Sequence, residues 1–141
     1  MATINEIQDQ IIDDFNLFDE WDEKYAYIID LGKKLQGIDP KYKIEENIIK
    51  GCQSLVWMTS NYQDGIVHYQ GESDAINVKG LVGILLKVLS DQPAEDIAKS
   101  DMYFIDKIGM QQHLSMTRSN GLASMVKQMK MHALAYQSTQ A

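Results

Sequence analysis

Among side chains able to make and break covalent bonds, one cysteine stands out. Cys52 follows Gly51 directly and precedes a β-branched and aromatic run, in the stretch IIKGCQSLVWMTSN (residues 48–61). The nucleophile is the thiolate, so a working cysteine needs access and a positive field nearby. Gly51 lets the backbone turn with little steric penalty. Lys50 is the nearest cation in sequence, and the segment Ile38–Gly51 is long enough to move as a surface loop. The competing reading is an inert buried thiol, because cysteine is among the residue types most often found inside. Three histidines offer general-base chemistry. His68 falls on an expected strand and His132 in an expected helix, both as surface or internally satisfied residues. His113 sits in MQQHLSMTRSNGL, just before a helix cap, with Arg118 and Asn120 close behind. A cysteine–histidine thiol enzyme requires one of these imidazoles within hydrogen-bond reach of Cys52. Arg118 falls in the first turn of that helix, where the dipole disfavours a cation, and so calls for a carboxylate of the chain or a ligand. One cysteine and three scattered histidines lack metal-ligand spacing, and neither a phosphate loop nor a dinucleotide fingerprint is present.

The elements that must position Cys52 follow from periodicity. Thr3 and Glu6 have capping-box spacing, and Ile4, Ile7, Ile11, Ile12, Phe15 and Phe18 recur on one helical face. A second helix runs from Asp19 to about Leu35, with Asp19, Glu20, Asp22 and Glu23 favoured at its start by the dipole and Gly37 as stop. Asp39-Pro40 marks a turn. From there the chain reads as a loop to Gly51, with room for a short edge strand at Ile48 and Ile49. SLVWMTS and IVHYQG, joined through Asp64-Gly65, predict a β-hairpin. Ser73 or Asp74 caps a buried helix over AINVKGLVGILLKVLSD, whose Gly80 and Gly83 require a close neighbour. Pro93 takes the first position of a short helix and MYFIDKIG forms another. Ser115 caps a long last helix with Leu122, Met125, Val126, Met129, Ala133 and Tyr136 on its apolar face. Most of Met102, Met110, Met116, Met125, Met129 and Met131 read as core filling. The fold class is α+β: a small antiparallel sheet packed against N- and C-terminal helices, in a single domain over residues 1–141.

The bulk numbers exclude several classes. The chain has 141 residues, 45% of them hydrophobic, enough for a core without disulfides or metals. A formal net charge of −7 disfavours nucleic acid and anionic membrane surfaces as partners. A lone cysteine fits a reducing compartment, MATINEIQDQ carries no export pattern, and a cytoplasmic protein is expected.

Several segments, in order, resemble one family. GCQSLVW (Gly51–Trp57), QGESDAINVKGLVGILL (Gln70–Leu86) and QHLSMTRSNGL (Gln112–Leu122) are similar to the SufE family of sulfur acceptors for cysteine desulfurases. WDEKYAYIIDLGKKL (Trp21–Leu35) resembles that family's N-terminal helical hairpin, and the turn SNYQDG is the least family-like stretch. The resemblance implies a SufE/IscU-like fold with Cys52, the cysteine of a G-C-x-S motif, as persulfide carrier. It implies a SufS-like cysteine desulfurase as donor and a SufBCD-like iron–sulfur scaffold as recipient. Pyridoxal phosphate then belongs to the donor, and this chain carries no cofactor and is no enzyme by itself. Gly51 and Trp57 become candidates to support an apolar pocket for the sulfur. Asp74, His113 and Arg118 become candidates for a role near the sulfur or in docking, with a helix N-cap the simpler reading of Asp74. A cysteine-dependent hydrolase or redox sensor, and a non-covalent desulfurase activator, remain as alternatives.

Overall fold

The structure, a computed structural model, describes residues 2–139, with Gln111 by its backbone alone. Helices α1 (Ile4–Asn16) and α2 (Trp21–Lys33) are followed by 3-10 turns at Pro40–Tyr42 and Glu45–Asn47. Then come β1 (Val56–Gln63), β2 (Ile66–Ser73), α3 (Ile76–Leu89) and β3 (Gln92–Pro93). Four helices end the chain: α4 (Ala94–Lys99), α5 (Phe104–Lys107), α6 (Met110–His113) and α7 (Met116–Thr139). The α+β expectation holds.

The reciprocal capping box forms at the start of α1. Glu6 N donates to Thr3 Oγ1 at 3.1 Å and Thr3 N to Glu6 Oε1 at 3.0 Å. The inner face of α1 carries Ile4, Ile11 and Phe15, and also Gln8, fully buried. Burying an amide is tolerable only when its polar atoms are paired. Gln8 donates to Asp101 O at 3.0 Å and accepts from Phe104 N at 3.1 Å, which ties α1 to the start of α5.

Helix α3 is the centre of the molecule. Ile84, Leu85, Val88 and Leu89 are fully buried, each worth about 1.5–3 kcal/mol. The close neighbour required by its two glycines is α2. A Cβ on Gly80 would lie 2.7 Å from Ile28 O, and one on Gly83 2.9 Å from Leu31 C, so the two backbones touch directly.

The three-stranded antiparallel sheet has the order β1-β2-β3. The hairpin runs from Val56↔Ser73 to Gln63↔Ile66, and Asp64 and Gly65 both take positive φ, 54° and 81°, as a two-residue primed turn requires. The third strand is Gln92–Pro93, paired to Val67 and Ile66. Pro93 therefore closes a strand and caps α4, one residue before the helical position expected of it. The edge expected at Ile48 and Ile49 reduces to one bridge, Ile48↔Trp57, with Ile49 N donating to Val56 O at 2.9 Å.

Helix α7 lies against the sheet and α4. Leu122, Met125, Met129 and Ala133 are buried, as their spacing requires. Met110, Met125 and Met129 fill core, whereas Met116 and Met131 are exposed. Among the described residues no helix is long and apolar enough to cross a membrane.

Candidate functional site

The cysteine sits at the tip of a flap with a fastened base. On one side Ile49 is hydrogen-bonded to Val56. On the other, Leu55 is gripped at both backbone groups: Ser73 Oγ donates to its carbonyl at 2.8 Å, and its N–H donates to Asp74 Oδ1 at 3.1 Å. Between these points, residues 50–54 make no backbone–backbone hydrogen bond among the described residues. Gly51 holds φ +96°, left-handed territory that favours glycine, and a Cβ there would meet Ser124 Oγ at 2.5 Å. The sequence thus permits a sharp turn pressed flat on α7.

The flap lays Cys52 against a second glycine. Cys52 Sγ donates to Gly121 O at 3.6 Å, and a Cβ on Gly121 would stand 3.3 Å from the sulfur. Beside the thiol lies a cavity of about 70 Å³, walled by Val78 and Leu81 of α3, Met125 of α7, and Thr117, Arg118 and Gly121 at the start of α7. A water needs roughly 10–15 Å³ on this measure. The cavity therefore takes another atom the size of sulfur without rearrangement.

Burial pushes the Cys52 thiol above its ordinary value, because leaving water penalises the thiolate. At neutral pH the docked group is a protonated, weakly nucleophilic thiol. Its sole hydrogen-bond partner among the described residues is a carbonyl, which also favours S–H.

The structure sorts the other sequence candidates. Arg118 lines the cavity, and its own N–H donates to Ser115 Oγ at 3.2 Å, which verifies the Ser115 cap. Its guanidinium forms no ion pair among the described residues, so no described carboxylate accounts for a cation at this helix start. Asp74 is not the helix cap: Ala75 occupies that position, and Asp74 instead grips Leu55. Trp57 is absent from the cavity wall. On a strand, neighbours point to opposite faces. Val56 and Met58 face the core, and Trp57 faces outward, opposite Glu72 and 5.4 Å from Lys43 Nζ. Lys43 pairs with Glu72 and holds its carboxyl below the usual carboxylate range, while Ile38 N also donates to Glu72. Trp57 and Glu72 thus fasten the segment from Ile38 onward, so the expected loop Ile38–Gly51 is tied to the sheet along much of its length.

His113 is also elsewhere. Its ring stacks on Trp21 at 3.8 Å between centroids, and its carbonyl accepts from Tyr25 Oη. His68 is bound to Asp91 and His132 to Ser60, as satisfied residues. No imidazole among the described residues lines the Cys52 cavity, so the structure does not bring together the cysteine–histidine pair that a thiol enzyme of that type uses.

Two contributors are not legible as site residues in the sequence. Gly121 makes room for the sulfur, and its signal is a glycine inside a helix, which costs about 1 kcal/mol relative to alanine. Ser73 bridges Leu55 O and Ala75 N, a role that only the hairpin register creates.

The family described as SufE, Fe–S metabolism associated domain, matches residues 9–133. An uncharacterized SufE-like protein of Rhizobium meliloti (strain 1021) is 43% identical over 130 residues, covering 89% of this chain and 93% of that protein. Another from Rhizobium etli, also 43% identical over 130 residues, covers 89% of this chain and 88% of its own length. The solution structure of a hypothetical protein from Thermus thermophilus superposes with a TM-score of 0.79 at 16% identity, covering 94% of this chain and 96% of that one, and so shares the fold.

Proposed function

This chain belongs to the SufE family, tied to Fe–S metabolism, and from that premise we propose that it receives sulfur from a cysteine desulfurase as a persulfide on Cys52. The donor, a pyridoxal-phosphate enzyme, presents its own cysteine persulfide. The Cys52 thiolate attacks the terminal sulfur; a new S–S bond forms at Cys52 as the donor's S–S bond breaks, and the electron pair leaves with the donor thiolate. Nothing is oxidised or reduced overall. The Cys52 persulfide then passes its outer sulfur to an iron–sulfur assembly scaffold by the same displacement.

The observation that carries this reading is the flap tip over a cavity with room for one more sulfur, apolar on its Val78, Leu81 and Met125 side and polar at Gln53, Ser54, Thr117 and Arg118. A carrier must reach a recessed donor, yet hide its persulfide from stray thiols and oxidants. Docked on Gly121, the thiol is protonated and covered. Swung outward from its base at Ile49 and Leu55, it regains water and an ordinary cysteine's reactivity. Leu55, Ile76 and Met116 are exposed large apolar side chains on the three elements that meet here, and they form the expected rim of donor contact. Arg118 supplies the positive charge that steadies an anionic sulfur at the cavity mouth. Its replacement, Arg118→Ala, lowers sulfur transfer several-fold with the melting temperature within ~1 °C of wild type, given the small effect of surface substitutions. A large loss of stability assigns it a structural role.

The test is a reconstituted assay with a pyridoxal-phosphate cysteine desulfurase, L-cysteine and a cluster scaffold. Cys52→Ser should abolish the gain in sulfur delivered to clusters that the wild-type chain provides. Delivery equal to wild type overturns the proposal.

A further inference from the structure

A second surface, sharing no lining residue with the Cys52 cavity, lies along the outer edge of β1. The hairpin register decides which backbone groups are free there. Asp74 N donates to Leu55 O, so Leu55 and the alternate residues Trp57, Thr59, Asn61 and Gln63 address β2. Val56, Met58, Ser60 and Tyr62 present their N–H and C=O groups to the other side. Ile49 occupies that side at Val56, in keeping with this alternation. Further along, no backbone or side-chain group among the described residues pairs with the backbone of Ser60 or Tyr62.

Proteins ordinarily guard such an edge with charge, proline or a bulge. Ser60-Asn61-Tyr62-Gln63 has none of these. The edge is also held in strand conformation from behind. Ser60 Oγ is 2.8 Å from His132 Nδ1 and 2.9 Å from Tyr136 Oη, and the rings of Tyr62 and Tyr136 stack at 5.0 Å. A groove of about 530 Å³ runs beside it, between Tyr42 and Asn47 on one flank and Ala135 and Tyr136 on the other. In a chain of net charge −7, no Asp, Glu, Lys or Arg among the described residues lines this groove.

We propose that the β1 edge at Ser60–Tyr62 is a strand-addition site for an extended, uncharged segment of a partner protein. The segment lies in line with the Ile48–Ile49 bridge, exchanging main-chain hydrogen bonds with Ser60 and Tyr62 while alternate side chains enter the groove. The flanking walls favour a single strand over a second copy of this chain, whose own edge carries the same walls. The site is independent of the sulfur chemistry, so a Cys52→Ser chain binds equally well.

The probe is acetyl-Thr-Tyr-Thr-Val-Thr-Tyr-Thr-amide, titrated to ~1 mM, the weak end of specific binding, into the full chain and followed by NMR and amide hydrogen exchange. The expected result is saturable binding that slows exchange at the Ser60 and Tyr62 amides and changes little between low and high salt. The analogue N-methylated at alternate amides should fail to bind. Asn61→Lys, an exposed position, should weaken binding by about tenfold or more at an unchanged melting temperature. Absence of saturable binding, equal binding of the N-methylated analogue, or protection of these amides by concentration-dependent self-association without peptide would each overturn the assignment.

Discussion

Glycine brings two pairs of elements together in this molecule, and the two contacts differ in kind. Between α2 and α3, Gly32, Gly80 and Gly83 let backbone meet backbone, with a Cβ on Gly32 lying 2.7 Å from Gly80 N. Between the Cys52 flap and α7, Gly51 and Gly121 meet side chains, Ser124 Oγ and Cys52 Sγ, and one long S–H···O bond spans the gap. The first contact is buried within the apolar core and cannot open without unfolding. The second is half-exposed, and residues 50–54 make no backbone–backbone hydrogen bond among the described residues, so few contacts oppose its opening. The same residue type thus builds a permanent seam in one place and a releasable dock in the other.

That contrast is most easily broken at the seam. Gly80→Val drives side-chain atoms into Ile28 O and costs about 3 kcal/mol, a fall of roughly 10 °C in melting temperature for a chain of this size. Calorimetry reads it directly, and an unchanged melting temperature would show that α2 and α3 are free to separate. Gly121→Ala has the opposite sign. It gains up to about 1 kcal/mol of helix propensity while crowding Cys52, so the melting temperature stays level or rises as thiol labelling accelerates several-fold. A destabilisation like that of Gly80→Val would make the dock a structural seam too.

The smallest effect concerns pH. The Cys52 pKa is raised in the docked state by burial, so docking contributes its full stability below the pKa of an open thiol, about 8.5. That contribution is lost as pH rises through the higher, docked value. Labelling of Cys52, compared with that of a short free peptide of the same local sequence, should be most suppressed near neutral pH and approach parity under alkaline conditions. A constant ratio across pH would mean that burial does not gate the thiol.

Much of the scaffold is readable from pattern alone, because local chemistry decides it. The Thr3 capping box, the Asp64-Gly65 turn, the Ser115 cap and the need for a neighbour at Gly80 and Gly83 depend on residues a few positions apart. What pattern misses depends on tertiary placement. The two-residue strand Gln92–Pro93 has no periodicity of its own and exists because β2 lies beside it. Asp74 reads as a cap by composition, yet the hairpin register sets Leu55 within its reach. Proximity in sequence puts Trp57 near the sulfur, but alternation along β1 turns it to the opposite face. Cys52 itself is visible as a thiol at a joint. Its partner Gly121 is not, because nothing in the sequence says which helix the flap will touch.

Mass analysis of the Cys52 peptide, digested without reductant after incubation with a pyridoxal-phosphate cysteine desulfurase and L-cysteine, tests the central claim most directly. Transfer predicts a gain of one sulfur, about 32 Da, confined to the peptide bearing Cys52. An unmodified Cys52 peptide, recovered while the chain still accelerates desulfurase turnover, would contradict it and leave only a non-covalent role.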